Sequence, residues 1–152
     1  MDLVTFCLCS DLTHTTSLVF LAQGNPVEAY TTCSSILAQL GETVPDVVTV
    51  EMVGCIIPET LSMYSRVYSD DWLEKNMKDP KLCNIVKFYS VTGIAAYFCK
   101  PTHSPAYFVC KMVQMSLRNG ICQQTPLALM QLSLIAFNNT SGIPFNNAMF
   151  VR

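Results

Sequence analysis

Four dipeptides, each a polar residue followed by proline, divide this chain into apolar stretches: Asn25-Pro26, Asp79-Pro80, Ser104-Pro105 and Thr125-Pro126. Proline is favoured at the first position of a helix because an N–H at that position would have no helical partner anyway. A short polar side chain just before it can accept hydrogen bonds from the next free amides. Each dipeptide therefore predicts a helix start with the polar residue as its cap.

Helix ends are marked in the same sequence by glycine and proline. Gly41 and Gly120 follow apolar runs, and glycine is favoured just past a helix end, where the backbone turns left-handed. Pro101 closes the helix that begins at Pro80. Together these signals predict an all-α chain with helices at about 12–23, 26–40, 49–64, 71–77, 80–99, 105–118 and 126–137.

Three local details complete this prediction. Pro58 is expected to kink or restart the helix at 49–64, because it removes one helical hydrogen bond. Asp71 is expected to cap the short helix, with Glu74 reaching back to it. Residues 1–137 are predicted to form one helical-repeat segment, and 138–152 a loop or frayed C-terminal tail.

The predicted helices have unusually narrow polar faces. In the helix at 105–118, Lys111, Gln114 and Arg118 share one stripe and nearly everything else is apolar. In the helix at 126–137, Gln131 and Ser133 are the only polar residues after its first turn. Helices of this kind must be contacted on several sides.

Composition excludes some classes of function. Charged residues make up 13% of the chain, against about 25% in a typical domain, and no basic cluster is present, so nucleic-acid binding is not expected. Residues 1–65 carry seven acids and no bases, net −7, whereas 66–152 carry nine bases and four acids, net +5. The longest nearly apolar run, 127–137, is shorter than the roughly 20 residues of a membrane span.

Eight cysteines could form disulfides in a secreted domain, but the N-terminus has no basic region typical of a signal peptide. We therefore expect a cytoplasmic protein with reduced cysteines that act as small apolar residues. The cysteines are Cys7, Cys9, Cys33, Cys55, Cys83, Cys99, Cys110 and Cys122.

Cysteine and histidine suggest two kinds of site, each weighed against a structural role. Cys7, Cys9 and His14 form C-x-C-x4-H, but zinc sites usually have four ligands and a fourth is not apparent. A Cys–His nucleophile would need a cysteine beside His14 or His103. Buried apolar cysteines and a histidine at a helix connection are the favoured interpretation of both.

Acidic and hydroxyl groups suggest two further kinds of functional site. Asp70, Asp71 and Glu74 could act as paired carboxylates, but acids at a helix N-terminus are also favoured by the helix dipole. Ser104 and Thr125 match the minimal target of proline-directed kinases, which leaves their modification as a hypothesis. We predict no catalytic, cofactor-binding or metal site.

One stretch resembles a tetratricopeptide repeat. In "LAQGNPVEAYTTCSSIL", Gly24 and Asn25 occupy the turn, while Ala29, Cys33 and Ile36 fall at the small and apolar positions of the second helix. The resemblance implies antiparallel helix pairs stacked as a tetratricopeptide-like α-solenoid.

A wider resemblance covers residues 26–136. The strings "EAYTTCSSILAQLGETVP", "IPETLSMYSRVYSDDWLEK", "KLCNIVKFYSVTGIAAYFCKP" and "CKMVQMSLRNGICQQTPLAL" resemble the helical region of large predicted signal-transduction ATPases. In those proteins, of diatom and bacterial type, an AAA/STAND-type ATPase or kinase region precedes a helical-repeat segment. The resemblance implies a non-catalytic scaffold that binds protein or relays conformational change, without cofactor.

The catalytic motifs of that family have no counterpart here. The chain contains no G-x-x-x-x-G-K-[ST], H-R-D or D-F-G sequence, so it is expected to be a fragment of such a protein and not itself an enzyme. The alternative hypothesis is a small standalone α-helical enzyme with a Cys–His or acidic site.

Overall fold

The regular structure is helical throughout the part of the chain that is described. A computed structural model describes residues 3–141, with side chains for 11–138, and these residues form seven helices and no strand. The prediction of an all-α chain is confirmed. The helices are α1 (Leu3–Ala22), α2 (Pro26–Gln39), α3 (Val50–Val67), α4 (Asp70–Leu73), α5 (Pro80–Cys99), α6 (Ser104–Asn119) and α7 (Thr125–Ser141).

The proline dipeptides mark helix starts, but most of the predicted caps are wrong. Asp79 does cap α5, because its Oδ1 accepts from the N–H of Lys81 at 2.8 Å. Asn25 makes no capping hydrogen bond, and Ser104 lies inside α6. The Oγ1 of Thr125 instead accepts from the N–H of Cys122 at 2.9 Å, so it holds the preceding loop.

Several predicted helix bounds change. Helix α1 begins at Leu3, not near residue 12, and α7 continues to Ser141, four residues into the predicted tail. Helix α3 runs through Pro58 without restarting. Pro58 and Gly54 are both exposed, so water can reach the carbonyl that lacks its helical donor. Residues 142–152 of the predicted tail lie outside the described residues.

The short helix α4 is also built differently from the prediction. Its cap is Ser69, whose hydroxyl accepts from the N–H of Trp72 at 3.2 Å, and neither Asp71 nor Glu74 takes that role. The Trp72 indole N–H donates to the carbonyl of Ser116 at 3.2 Å, which ties α4 to the end of α6.

The core is centred on α5 and α6. Helix α5 packs between α2 and α6, α6 also contacts α3 and α7, and α1 lies against α2 and α5. Helices α5 and α6 lie close together at Gly93, where an added Cβ would be in contact with the Cβ of Phe108 at 3.4 Å. Phe88, Tyr89 and Phe108 are fully buried there.

Helix α5 is also the one described helix that is long and apolar enough to cross a membrane. Its mean hydropathy reaches 1.3 over an 18-residue window, and half of that window is buried inside the fold. The core helix of a soluble protein has the same properties, so this helix alone is weak evidence of a span.

Two ion pairs join the acidic first part of the chain to the basic second part. Lys87 Nζ lies 3.3 Å from Asp11 Oδ1, and Lys111 Nζ lies 3.8 Å from Glu42 Oε2. Opposite charges thus connect α1 to α5, and the loop after α2 to α6. Some of the acids of the first part of the chain therefore form ion pairs with bases of the second part.

Candidate functional site

One face of α7 is apolar and exposed. Leu127, Met130 and Leu134, spaced three and four residues apart, share that face and are 40%, 55% and 43% exposed. Ile135, on the opposite side of the helix, is fully buried. We call the three exposed residues the α7 outer face. It lies in a stretch, 119–151, that contains no charged residue.

Beside this face lies a cleft between α5, α6 and α7, which we call the α5–α7 cleft. Its volume is about 250 Å³, and its lining contains no charged residue. Apolar side chains dominate the lining, including Ile94, Phe98, Val109 and Met112. Phe98 is 66% exposed, so apolar surface continues outward from the cleft.

Gln131 is one of three polar residues in the lining of this largely apolar cleft, with Ser90 and Tyr97. It lines the cleft from α7, and its Oε1 is buried without a hydrogen-bond partner. A buried acceptor left unpaired costs about 1–3 kcal/mol.

A second cleft separates α7 from α3, where both helices rest on α6. It is lined by Leu61 and Tyr64 from α3 and by Leu129, Leu132, Ser133 and Ala136 from α7. Its volume is about 310 Å³. Helix α7 therefore has an open cleft on each side.

The histidines have structural surroundings. The ring of His14 meets the ring of Phe88 edge-on with centroids 6.0 Å apart, and burial, aided by Lys87, lowers the His14 pKa. The Nε2 of His103 lies 2.7 Å from the carbonyl oxygen of Val48, which fixes the segment before α3. These contacts fit the interpretation of both histidines as packing residues.

The candidate metal corner, C-x-C-x4-H, lies at the N-terminal end of the described side chains. The side chains of Cys7 and Cys9 lie outside the described residues, so their relation to His14 is not defined. Among the described side chains, no group of three His, Cys, Asp or Glu residues could hold a metal ion.

Four of the described cysteines are poorly suited to nucleophilic attack. Burial raises the pKa of Cys110 to about 11, and it also raises the pKa of Cys33, Cys83 and Cys99. Since the thiolate is the reactive form, these thiols are expected to be inert near neutral pH. Cys55 is exposed on α3.

The acidic candidates for a functional site are exposed, whereas the two hydroxyl candidates for phosphorylation are buried. Asp70 and Asp71 are exposed in the first turn of α4, where the helix dipole favours acids. Ser104 and Thr125 are only 2% and 1% exposed. A kinase could therefore reach neither hydroxyl in this fold.

Sequence reasoning missed a partly buried polar cluster around Glu42. The hydroxyl of Tyr89 donates to Glu42 Oε2 at 2.5 Å, and Lys111 approaches the same oxygen. Burial and the neighbouring carboxylate raise the pKa of Tyr89 well above its usual range. No local pattern signals this cluster, because its members come from a loop and two helices. It locks the loop after α2 onto the core.

The chain was compared with known proteins at three levels. No protein-family model, curated protein or solved structure matches it. The function is therefore argued from the residues and their geometry.

Proposed function

We propose that this chain is a non-catalytic helical module that binds another protein, or a neighbouring domain of the same polypeptide, through the α7 outer face. The observation that carries the proposal is the row formed by Leu127, Met130 and Leu134, half-exposed and without a charge nearby in sequence. Covering apolar surface is favourable by about 25 cal/mol per Å², and continuous apolar patches on soluble proteins mark interaction sites.

The partner surface best matched to this face is a helix. Residues three and four apart present one stripe, and an amphipathic helix laid along it can pack its own apolar stripe into the flanking clefts. The absence of charge on 119–151 means that recognition depends on shape and burial. The rate of association should then depend little on salt.

A tetratricopeptide-like arrangement is part of this proposal. The links α1–α2, α5–α6 and α6–α7 are three, four and five residues long, and each joins two helices that contact one another, as in antiparallel helix pairs. In a simple stack, each helix would pack mainly on the next one along the chain. Here α2 packs mainly on α5 instead of α3. In a longer chain, the α7 outer face would be the surface on which the next helix pair stacks.

The signalling role is proposed at the level of the parent protein. Stacked helices can shift as rigid bodies, so a nucleotide-dependent change in an attached ATPase domain could alter what docks on α7. The adjoining coding sequence tests this. A Walker-type ATPase or kinase region upstream would support the relay, and stop and start signals tightly flanking residues 1–152 would contradict it.

Site-specific photocrosslinking tests the binding proposal. We would introduce a photoreactive phenylalanine at Met130 and, as a matched control, at exposed Lys78, and irradiate cells that express the chain. The proposal predicts one dominant protein product at Met130, absent at Lys78 and lost when Leu134→Glu is added. Equal products at both positions, or none at Met130, would contradict it.

A further inference from the structure

We propose that Cys83 and Cys122 form a reversible disulfide when the chain meets hydrogen peroxide, and that this bond fastens the first turn of α5 to the connection between α6 and α7. The inference goes beyond the proposed function and does not depend on it. Two observations lead to it. Two paired backbone segments bring the thiols together, and both thiols are free and partly exposed.

The backbone pairing joins the α4–α5 connection to the α6–α7 connection. Asn76 lies opposite Ile121 in a short parallel bridge. The N–H of Ile121 donates to the carbonyl of Lys75 at 2.6 Å, and the N–H of Met77 donates to the carbonyl of Ile121 at 2.9 Å. Paired segments of this kind lie about 5 Å apart. By this register, Cys122 lies beside Met77.

Cys83 reaches the same place from the first turn of α5. Its Sγ lies 3.7 Å from the carbonyl oxygen of Met77, the residue beside Cys122. Both cysteine side chains pack against the same core. Burial raises the pKa of Cys83, and the nearby Cys122 is the next largest cause of that rise. Geometry and electrostatics therefore agree that the two thiols are neighbours.

The surroundings of the two thiols decide which one reacts first. Both are partly exposed, whereas Cys110 is fully buried. The S–H of Cys83 is directed at the Met77 carbonyl, and its raised pKa keeps it protonated. The thiolate is the form that attacks peroxide. The reaction therefore begins at Cys122, and Cys83 is the thiol that completes the disulfide.

The reaction consumes one hydrogen peroxide and releases two waters. The Cys122 thiolate attacks one peroxide oxygen, the O–O bond breaks, and the hydroxide that leaves takes up the proton lost by Cys122. The sulfur is then a sulfenic acid. The Cys83 sulfur attacks it, so that the S–S bond forms, the S–O bond breaks, and the departing hydroxyl takes the Cys83 proton. Two electrons pass from the two sulfurs to the peroxide.

The second step does not require Cys83 to be reactive towards reagents in solution. It meets a single group held beside it, and a step within one molecule has a high effective concentration. Free thiols such as glutathione reverse the bond by thiol–disulfide exchange. Disulfides that form inside cells are usually transient ones of this kind.

The disulfide would change the stability of the folded chain. It would close a loop that contains most of α5 and all of α6, and closing such a loop restricts the unfolded chain. We expect the midpoint of thermal unfolding to rise by about 4–12 °C. Helix α7 begins at Thr125, three residues after Cys122, so the bond also fixes the start of α7.

Peptide mapping tests the proposed bond. The reduced full chain is treated with one equivalent of hydrogen peroxide near neutral pH, its remaining thiols are alkylated, and it is digested with trypsin. Cys83 is the one cysteine in peptide 82–87, and Cys122 is the one cysteine in peptide 119–152. We expect these two peptides to be linked in the main disulfide product and to separate on addition of dithiothreitol.

Serine variants provide the controls. Cys83→Ser should abolish the linked peptide and leave a Cys122 sulfenic acid that dimedone captures. Cys55→Ser, at an exposed cysteine of α3, should leave the yield of the linked peptide unchanged. Peroxide should raise the unfolding midpoint of the parent chain and not that of Cys122→Ser. Circular dichroism before oxidation shows whether each variant is folded.

Several outcomes would overturn the inference. They are an absence of the linked peptide, equally frequent links from Cys83 or Cys122 to peptide 1–66, and an equal yield when the chain is unfolded in urea before oxidation. A linked product with an unchanged unfolding midpoint would overturn the claim that the bond fastens α5 to the α6–α7 connection.

Discussion

Gly120 is the residue at which three segments meet. Its φ of +106° is accessible to glycine, and a Cβ there would lie 2.5 Å from the carbonyl oxygen of Lys75. Next to it, the N–H of Ile121 donates to that oxygen at 2.6 Å and the N–H of Met77 donates to the carbonyl of Ile121 at 2.9 Å. The absence of a side chain at 120 thus allows the α4–α5 connection to dock on the end of α6.

Gly120→Ala should therefore lower the free energy of unfolding by about 2–4 kcal/mol, combining backbone strain with displacement of Lys75. Urea unfolding followed by circular dichroism measures it. Gly54→Ala is the matched control, since Gly54 is helical with nothing within 4 Å of an added Cβ. That variant should gain about 0.5–1 kcal/mol. A loss at Gly54, or no loss at Gly120, would contradict this description of the junction.

Tyr89 gives a second prediction at the same scale. Tyr89→Phe removes the hydroxyl by which a fully buried tyrosine donates to the partly exposed Glu42, and should cost about 1.5–3 kcal/mol of unfolding free energy. Tyr68→Phe, at a position 48% exposed, should cost less than about 0.5 kcal/mol. Equal costs for the two variants would show that the Glu42–Tyr89 contact does not stabilise the fold.

At the scale of helices, the four proline dipeptides predicted where α2, α5, α6 and α7 begin, and tertiary contacts decided how helix ends are stabilised. Proline restricts its own backbone, so the starts near Pro26 and Pro80 follow from sequence. Thr125 was predicted as a cap, but its hydroxyl bonds the preceding loop and lies 2.9 Å from the Ser116 hydroxyl of α6. Contacts of that kind depend on which helices become neighbours, and a single sequence does not reveal this.

The capping difference is measurable. Asp79→Ala removes the side chain that accepts from Lys81 and should destabilise the chain by about 1 kcal/mol. Asn25→Ala, at the equivalent position of α2, removes no capping hydrogen bond and should change stability by less than about 0.5 kcal/mol. Thermal and urea unfolding report both values. A larger effect at Asn25 than at Asp79 would contradict the assigned caps.

At the scale of the whole molecule, the apolar helices α5 and α6 lie at the centre of the fold. Their apolar side chains are buried there by the other helices. The sequence predicted helices that need neighbours on several sides, and α6 has them in α3, α5 and α7. The α5–α7 cleft could not be predicted, because it is assembled from three helices that meet through nonlocal packing. Its one signal was Gln131, a polar residue in a nearly apolar helix.

The distribution of thiols over the molecule tests the enzyme alternative. Treatment of the native protein with a maleimide near neutral pH should modify exposed Cys55 rapidly and leave Cys33 and Cys110 unmodified until unfolding. The raised pKa of Cys110, about 11, reinforces its protection by burial. Mass spectrometry of labelled peptides gives the rates. A buried cysteine that reacts faster than Cys55 would favour a catalytic thiol.

The most direct test of the central claim compares two sides of α7. Met130→Asp and Ile135→Asp place the same charge on the same helix, one on the outer face at 55% exposure and one in the core at 0%. If the outer face is free for a partner, Met130→Asp should change the unfolding free energy by less than about 0.5 kcal/mol. Ile135→Asp should leave the chain largely unfolded. Comparable losses at the two positions would contradict the claim.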